Sequence, residues 1–168
     1  MSNSASDSVK NTTSNDGALA SVGDLVVGSD HVGIAVPDLD ASAAWYRDNF
    51  GFENLHEEIN EDQGVREAMV GPRGGTGALI QLLAPLNDQS TIAKFLDRNG
   101  PGLQQMAVRV TDLDAVTTRL TDAGVRLLYP APKRGTAYSR INFVHPKDAG
   151  GVLLELVEPA EHSAPAHS

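Results

Sequence analysis

No cysteine occurs in the 168 residues, which excludes disulfide staples, thiolate metal sites, iron–sulfur clusters and a cysteine nucleophile, and suits a reducing compartment. Basic residues are scarce: 13 Lys and Arg stand against 22 Asp and Glu, a formal net charge of −9. Neither a nucleic-acid backbone nor an anionic membrane surface is the expected partner, and any anionic ligand must find a local basic patch. Apolar runs long enough to span a bilayer are missing. So are the basic and apolar stretches of a secretory signal in MSNSASDSVKNTTSNDG. These absences set the expectation of a soluble, cytoplasmic chain, long enough to bury one core of its own.

Core-forming residues are unevenly placed. Residues 1–26 are rich in Ser, Asn, Thr and Asp, and the tail EPAEHSAPAHS is equally poor in apolar side chains. Both ends are expected to be disordered, leaving 27–160 as a single domain and 161–168 outside it. Within that domain the sequence repeats itself. At an offset of 74, DHVGIAVPDLDA (30–41) falls on QQMAVRVTDLDA (104–115), and ALIQLLAP (78–85) falls on VLLELVEP (152–159). Each half opens with a short apolar strand, passes through Asp-Leu-Asp into an amphipathic helix, and closes on a Leu-rich strand ending in Pro. Asp38 and Asp112 are placed to cap the helices, and Gly51 and Gly124 to end them. Leu39 and Trp45 in one half, and Leu113, Val116 and Leu120 in the other, read as core-facing stripes. Further strands fall at GVREAMV (64–70) and SRINFV (139–144). The fold class is thus α+β, a βαβββ unit used twice: module 1 at about 27–88 and module 2 at about 101–159. A linking helix at 90–99 starts at Ser90 and stops before Gly100-Pro101-Gly102.

A duplicated module builds its site from equivalent positions on both copies. His31 superposes on Gln105, and Gln81 on Glu155, each a polar residue inside an otherwise apolar strand, where it must be paired or bound if it points inward. Together they make two symmetric pairs of nitrogen and oxygen donors, the makings of a four-ligand cation site. The alternative is that they alternate outward to solvent, since strand side chains have period two. The remaining histidines, His56, His145, His162 and His167, lie in polar, turn-like or tail segments and read as loop or solvent residues.

DHVGIAVPDLDASAAWYRDNFGF, QLLAPLNDQSTIAKFL, GLQQMAVRV and NFVHPKDAGGVLLELVEP resemble the methylmalonyl-CoA epimerases, a family of the vicinal oxygen chelate superfamily. The resemblance spans nearly the whole domain. It implies paired βαβββ modules forming a cupped mixed β-sheet around a divalent metal, usually in a homodimer. The family's ligands fall on His31, Gln81, Gln105 and Glu155, and its catalytic glutamate on Glu67. One departure is Gln105, where many such enzymes carry a second histidine. One imidazole nitrogen and three oxygens make a harder site, so Co²⁺ is the expected ion, with Mn²⁺, Mg²⁺ and Zn²⁺ as alternatives. With one histidine only, the set does not suit the Fe(II) facial triad of ring-cleaving dioxygenases.

The implied substrate is an acyl-CoA, methylmalonyl-CoA, with inversion at C2 through an enolate. That reaction needs positive charge beside the thioester and carboxylate oxygens and a base on each face of the carbon. Glu67 is the first base. Without the resemblance it would read as a solvated strand residue in the charged run EEINEDQGVRE. Glu155 is one candidate for the second, a water or another side chain being the others. CoA is a polyanion, so Lys133, Arg134, Arg140 and Lys147 are candidates for its phosphates, against the ordinary reading of a solvated face. Two other readings stay open: a glyoxalase-type lactoylglutathione isomerase, and a non-catalytic small-molecule-binding protein of the same fold.

Overall fold

The computed structural model describes residues 21–160; the disorder expected of 1–20 and 161–168, and His162 and His167, lie outside them. Eight strands form one mixed sheet: β1 (Val26–Ala35), β2 (Glu53–Asn60), β3 (Val65–Gly71), β4 (Leu79–Pro85), β5 (Gly102–Val110), β6 (Lys133–Arg134), β7 (Arg140–Val144) and β8 (Leu154–Glu158). Their order across the sheet is β2-β3-β4-β1-β5-β8-β7-β6. The two modules meet where β1 pairs antiparallel with β5, and each of these pairs in parallel with the closing strand of its own module, β4 or β8. The repeat read from the sequence is therefore a two-fold arrangement about the β1–β5 seam. Its four central strands are the ones that carry His31, Gln81, Gln105 and Glu155.

Three helices pack on this sheet: α1 (Leu39–Phe50), α2 (Thr91–Asn99) and α3 (Leu113–Asp122). Asp38 accepts the Ala41 N–H, Asp112 the Ala115 N–H and Ser90 the Ala93 N–H, each within 2.9–3.0 Å, caps worth about 1 kcal/mol apiece. Gly51 ends α1 at φ 66°, a left-handed turn that suits glycine. Helices α1 and α3 cover the outer face. There Leu39 packs with Ala68, Val70 and Leu82, and Leu113 and Val116 pack with Val110, Val144 and Leu156. Helix α2 lies on the inner face, over Ala35, Val65 and Leu83. Among the described residues no helix is long and apolar enough to cross a membrane.

Two expectations are corrected. Trp45 is 53 % exposed, and the buried stripe of α1 runs through Leu39, Ala43 and Tyr46. Seven residues is close to two whole turns, whereas Trp45, six residues on, points well off that line. Residues 21–26, expected to be disordered, are also part of the folded domain. Residues 23–25 form a short turn, Val22 and Leu25 pack on the second module's core, the Leu25 carbonyl accepts the Thr111 N–H at 2.9 Å, and Asp24 pairs with Arg119.

Candidate active site

Strand alternation decides what faces the inside of the sheet. On β1, His31, Gly33 and Ala35 share one face. Gly33 stands level with both Gln81 and Gln105, and a Cβ there would come within 2.5 Å of Gln105 Cγ. The glycine is the space that the Gln105 side chain occupies. On β3 the alternation turns Arg66 outward, to Asp40 and Glu57, and Glu67 inward. The inner face forms a cleft of about 730 Å³, lined by Glu67, Gln81, Gln105, Thr136 and Glu155 among others.

His31, Glu67, Gln81, Gln105 and Glu155 are all buried, so outward alternation to solvent is excluded for each. They form one hydrogen-bonded chain. His31 Nε2 lies 3.1 Å from Glu155 Oε2. Gln105 Nε2 donates to the same oxygen at 2.6 Å and to Gln81 Oε1 at 3.1 Å. Gln81 Nε2 donates to Glu67 Oε2 and to Thr136 Oγ1, both at 2.9 Å, and the Thr136 hydroxyl donates to Glu67 Oε1 at 2.7 Å. Gln81 is the link between the two parts: its oxygen points at the donor cluster and its nitrogen holds the Glu67 carboxyl. At the other end Asp30 Oδ1 accepts from His31 Nδ1 at 2.7 Å, while Asp30 Oδ2 takes Arg109 Nε at 2.6 Å. That contact fixes the imidazole with Nε2 toward the cluster.

The charges follow from these contacts. Burial pulls the His31 pKa down, but the hydrogen bonds to Asp30 and Glu155 outweigh it and raise it to about 9. Glu67 moves the other way from an ordinary carboxylate. Burial pushes it up to about 7; the Thr136 hydrogen bond opposes this, and the Glu58 and Glu155 carboxylates add to it.

The donor set fits a divalent ion. Ligands at about 2.1 Å around an octahedral ion sit about 3 Å from their neighbours, and the contacts among His31, Gln81, Gln105 and Glu155 are 2.6–3.1 Å. Gln105 presents its amide nitrogen, and a half-turn of that amide presents oxygen in its place. Among the described residues no three His, Cys, Asp or Glu side chains form a metal-holding group. This site is half amide, which is why such a group is absent.

Residues 30–143 match the family model described as Glyoxalase/Bleomycin resistance protein/Dioxygenase superfamily. The chain is 40 % identical over 128 residues to the ethylmalonyl-CoA/methylmalonyl-CoA epimerase of Cereibacter sphaeroides, covering 75 % of this chain and 93 % of that one. The chain belongs to the methylmalonyl-CoA epimerase family of that superfamily. Solved structures of the family share its fold. That of methylmalonyl-CoA epimerase from Mycobacterium tuberculosis is 63 % identical with a TM-score of 0.77, covering 81 % of this chain and 90 % of its own. A methylmalonyl-CoA epimerase in complex with methylmalonyl-CoA and NH₄⁺ is 46 % identical with a TM-score of 0.76, covering 84 % and 99 %.

Of the four cations expected to meet CoA, the structure brings two to the cleft. Lys133 and Arg134 line its mouth, stacked on Tyr129 and Tyr138. Arg140 does not join them: on β7 it alternates with the inward Ile141 and Phe143, so it reaches the outer face and pairs with Asp114 of α3 and with Glu158. Lys147 sits in the short turn Pro146–Asp148, away from the residues that line the cleft. His56 is on β2 rather than in a loop and meets Glu58 at 2.6 Å; His145 accepts the Lys147 N–H and caps its turn. Sequence reasoning missed Thr136 and Glu58. The period-two pattern of β2 was the one signal for Glu58, since it places Glu58 level with Glu67.

Proposed function

We propose that the protein interconverts the C2 epimers of methylmalonyl-CoA, taking the proton from one face of the carbon and returning one to the other. The observation that carries this reading is Glu67: a buried carboxyl, aimed into the cleft beside a four-donor cation site, with a pKa of about 7. A base in that range is ionised often enough at neutral pH to take a proton and basic enough to hold it. Thr136 and Gln81 fix its plane through Oε1 and Oε2, which orients the lone pairs before substrate arrives.

His31, Gln81, Gln105 and Glu155 would hold the divalent ion, with Co²⁺ the favoured ion for one nitrogen and three oxygens. When bound, that ion supplies positive charge to the thioester and carboxylate oxygens as negative charge builds on them. The protein's own part is to keep Glu67 dry and directed at C2, and to deliver a proton on the opposite face. We assign that delivery to Glu155, across the cluster from Glu67, as the candidate second acid-base group. Lys133 and Arg134 at the mouth take the phosphates of CoA. The Lys133 ammonium lies over the Tyr129 ring, 5.0 Å from its centroid. The relatives' names favour an acyl-CoA over a glutathione thiohemiacetal, and a buried base counts against a binding protein. A cytoplasmic homodimer completes the reading, with sedimentation velocity the check on the dimer.

The test is loss of the C2 proton from methylmalonyl-CoA in deuterated buffer, followed by NMR before and after treatment with a chelator. Rapid exchange that stops on chelation and returns with Co²⁺ supports the reading. Exchange that survives complete metal removal overturns the role given to the four donors. Failure to exchange methylmalonyl-CoA under any condition overturns the substrate.

A further inference from the structure

Strands β2 and β6 are the two edges of the sheet, yet they meet across the mouth of the cleft. The segment 133–139, which contains β6 and the turn after it, reaches β2 chiefly through one side chain. Glu58 Oε2 accepts the Ala137 backbone N–H at 3.0 Å, and Glu58 Oε1 takes Arg134 Nη2 at 3.3 Å. His56 Nε2 meets Oε2 from the other side at 2.6 Å. A weaker tie runs from Gln63 to the Arg134 carbonyl. The Glu58 side chain is only 13 % exposed and lies level with Glu67 on the neighbouring strand.

The segment does not hold this course by local preference. Ala137 and Tyr138 both have left-handed backbones, at φ 53° and 60°, a conformation that non-glycine residues avoid. Gly135 has no space for a Cβ, which would fall 2.5 Å from Ile141 Cγ2. What the arrangement achieves is the position of Thr136, one residue before the tethered Ala137 N–H. Its hydroxyl gives its single proton to Glu67 Oε1 and accepts from Gln81 Nε2.

We propose that Glu58 is a positioning residue for proton transfer: by holding the Ala137 N–H it keeps the Thr136 hydroxyl on Glu67. This rests on the reading of Glu67 as the base. Strand β2, at the sheet's edge, thereby contributes to a site whose other members lie on the strands inside it and on the segment that crosses to meet it.

The experiment is a double-mutant cycle on the metal-loaded enzyme, with kcat and KM for methylmalonyl-CoA epimerisation as readouts. Glu58→Ala and Thr136→Val are each expected to lower kcat by about 10- to 100-fold with KM near the wild-type value. The double variant is expected to be no slower than the slower single one, because both changes remove one contact. Glu58→Gln, which still offers an oxygen to Ala137, should restore most of kcat. Glu58→Thr is too short to reach Ala137 and replaces the alanine variant if that one fails to fold, with the same losses expected. Multiplying effects in the double variant, a glutamine variant as slow as the alanine one, or a change in KM alone would overturn the proposal. Glu67→Gln separates the two ideas. If it retains turnover, the base assignment fails; if it is inactive while the cycle multiplies, only the role of Glu58 fails.

Discussion

Replacing Glu67 by glutamine is expected to make the metal-free protein more stable while making it a poorer enzyme. The Glu67 residue is 3 % exposed, and among the described residues its acceptor oxygens meet only Thr136 and Gln81. Its pKa rises from 4.5 to about 7 on folding. Between those values the native state holds a proton that the unfolded state has released, so stability falls as pH rises through this window. The favourable contribution is complete below about 4.5 and gone once pH has passed about 7. At pH 8 the native protein carries a buried charge, which costs roughly 3 kcal/mol from a shift of that size. Glutamine never ionises. It gives up one of the two acceptor oxygens, at about 1 kcal/mol, so the Glu67→Gln variant should exceed wild type by roughly 2 kcal/mol at pH 8. That advantage should vanish or reverse near pH 5. Urea unfolding of both proteins in chelator at several pH values measures it, and the difference between them cancels the titration of every other group. A difference independent of pH, or one that grows in favour of wild type as pH rises, would refute the reasoning.

Other outcomes follow from the same geometry. Gln105→His should keep activity and bind Zn²⁺ more tightly than wild type, read by competition with a chromophoric chelator, since imidazole is the better donor for that ion; unchanged affinity would remove Gln105 from the ligand set. Deleting residues 1–20 should leave the melting temperature nearly untouched, because that stretch has little apolar surface to bury. Deleting 1–26 should cost roughly 1–3 kcal/mol in urea unfolding, because Val22 and Leu25 leave the second module's core and Thr111 loses the Leu25 carbonyl.

The repeat made the centre of the fold legible in the sequence. A single offset paired His31 with Gln105 and Gln81 with Glu155, and because duplicated strands take equivalent places, that offset already implied four side chains converging at one seam. The helix caps were legible for a local reason: an Asp or Ser side chain satisfies an N–H three residues on, whatever the rest of the chain does. Trp45 was misread because a large apolar residue draws attention to itself, while the helix buries by angle, through Leu39, Ala43 and Tyr46. Arg140 was grouped with Lys133 and Arg134 because they are close in sequence, but on β7 it is turned to the outer face, where it meets Asp114 of α3, while Lys133 and Arg134 line the cleft from the two-residue edge strand β6. Thr136 had no pattern to reveal it, and the period-two pattern of β2 gave Glu58 a face but not a partner. Their meeting depends on the two sheet edges coming together, on a segment whose left-handed residues are not glycines, and no local signal encodes that.

The central claim is that Glu67 acts as a base from one face of C2 without holding the metal. Hydrogen exchange at C2 of each enantiomer of methylmalonyl-CoA, measured separately in deuterated buffer with the Glu67→Gln enzyme, tests it directly. Epimerisation should fall by roughly 10²–10⁴-fold, as for a lost general base, with metal content unchanged. One enantiomer should lose most of its exchange while the other keeps a base on its own face. Wild-type epimerisation by the variant, or loss of the metal together with the activity, would contradict the claim.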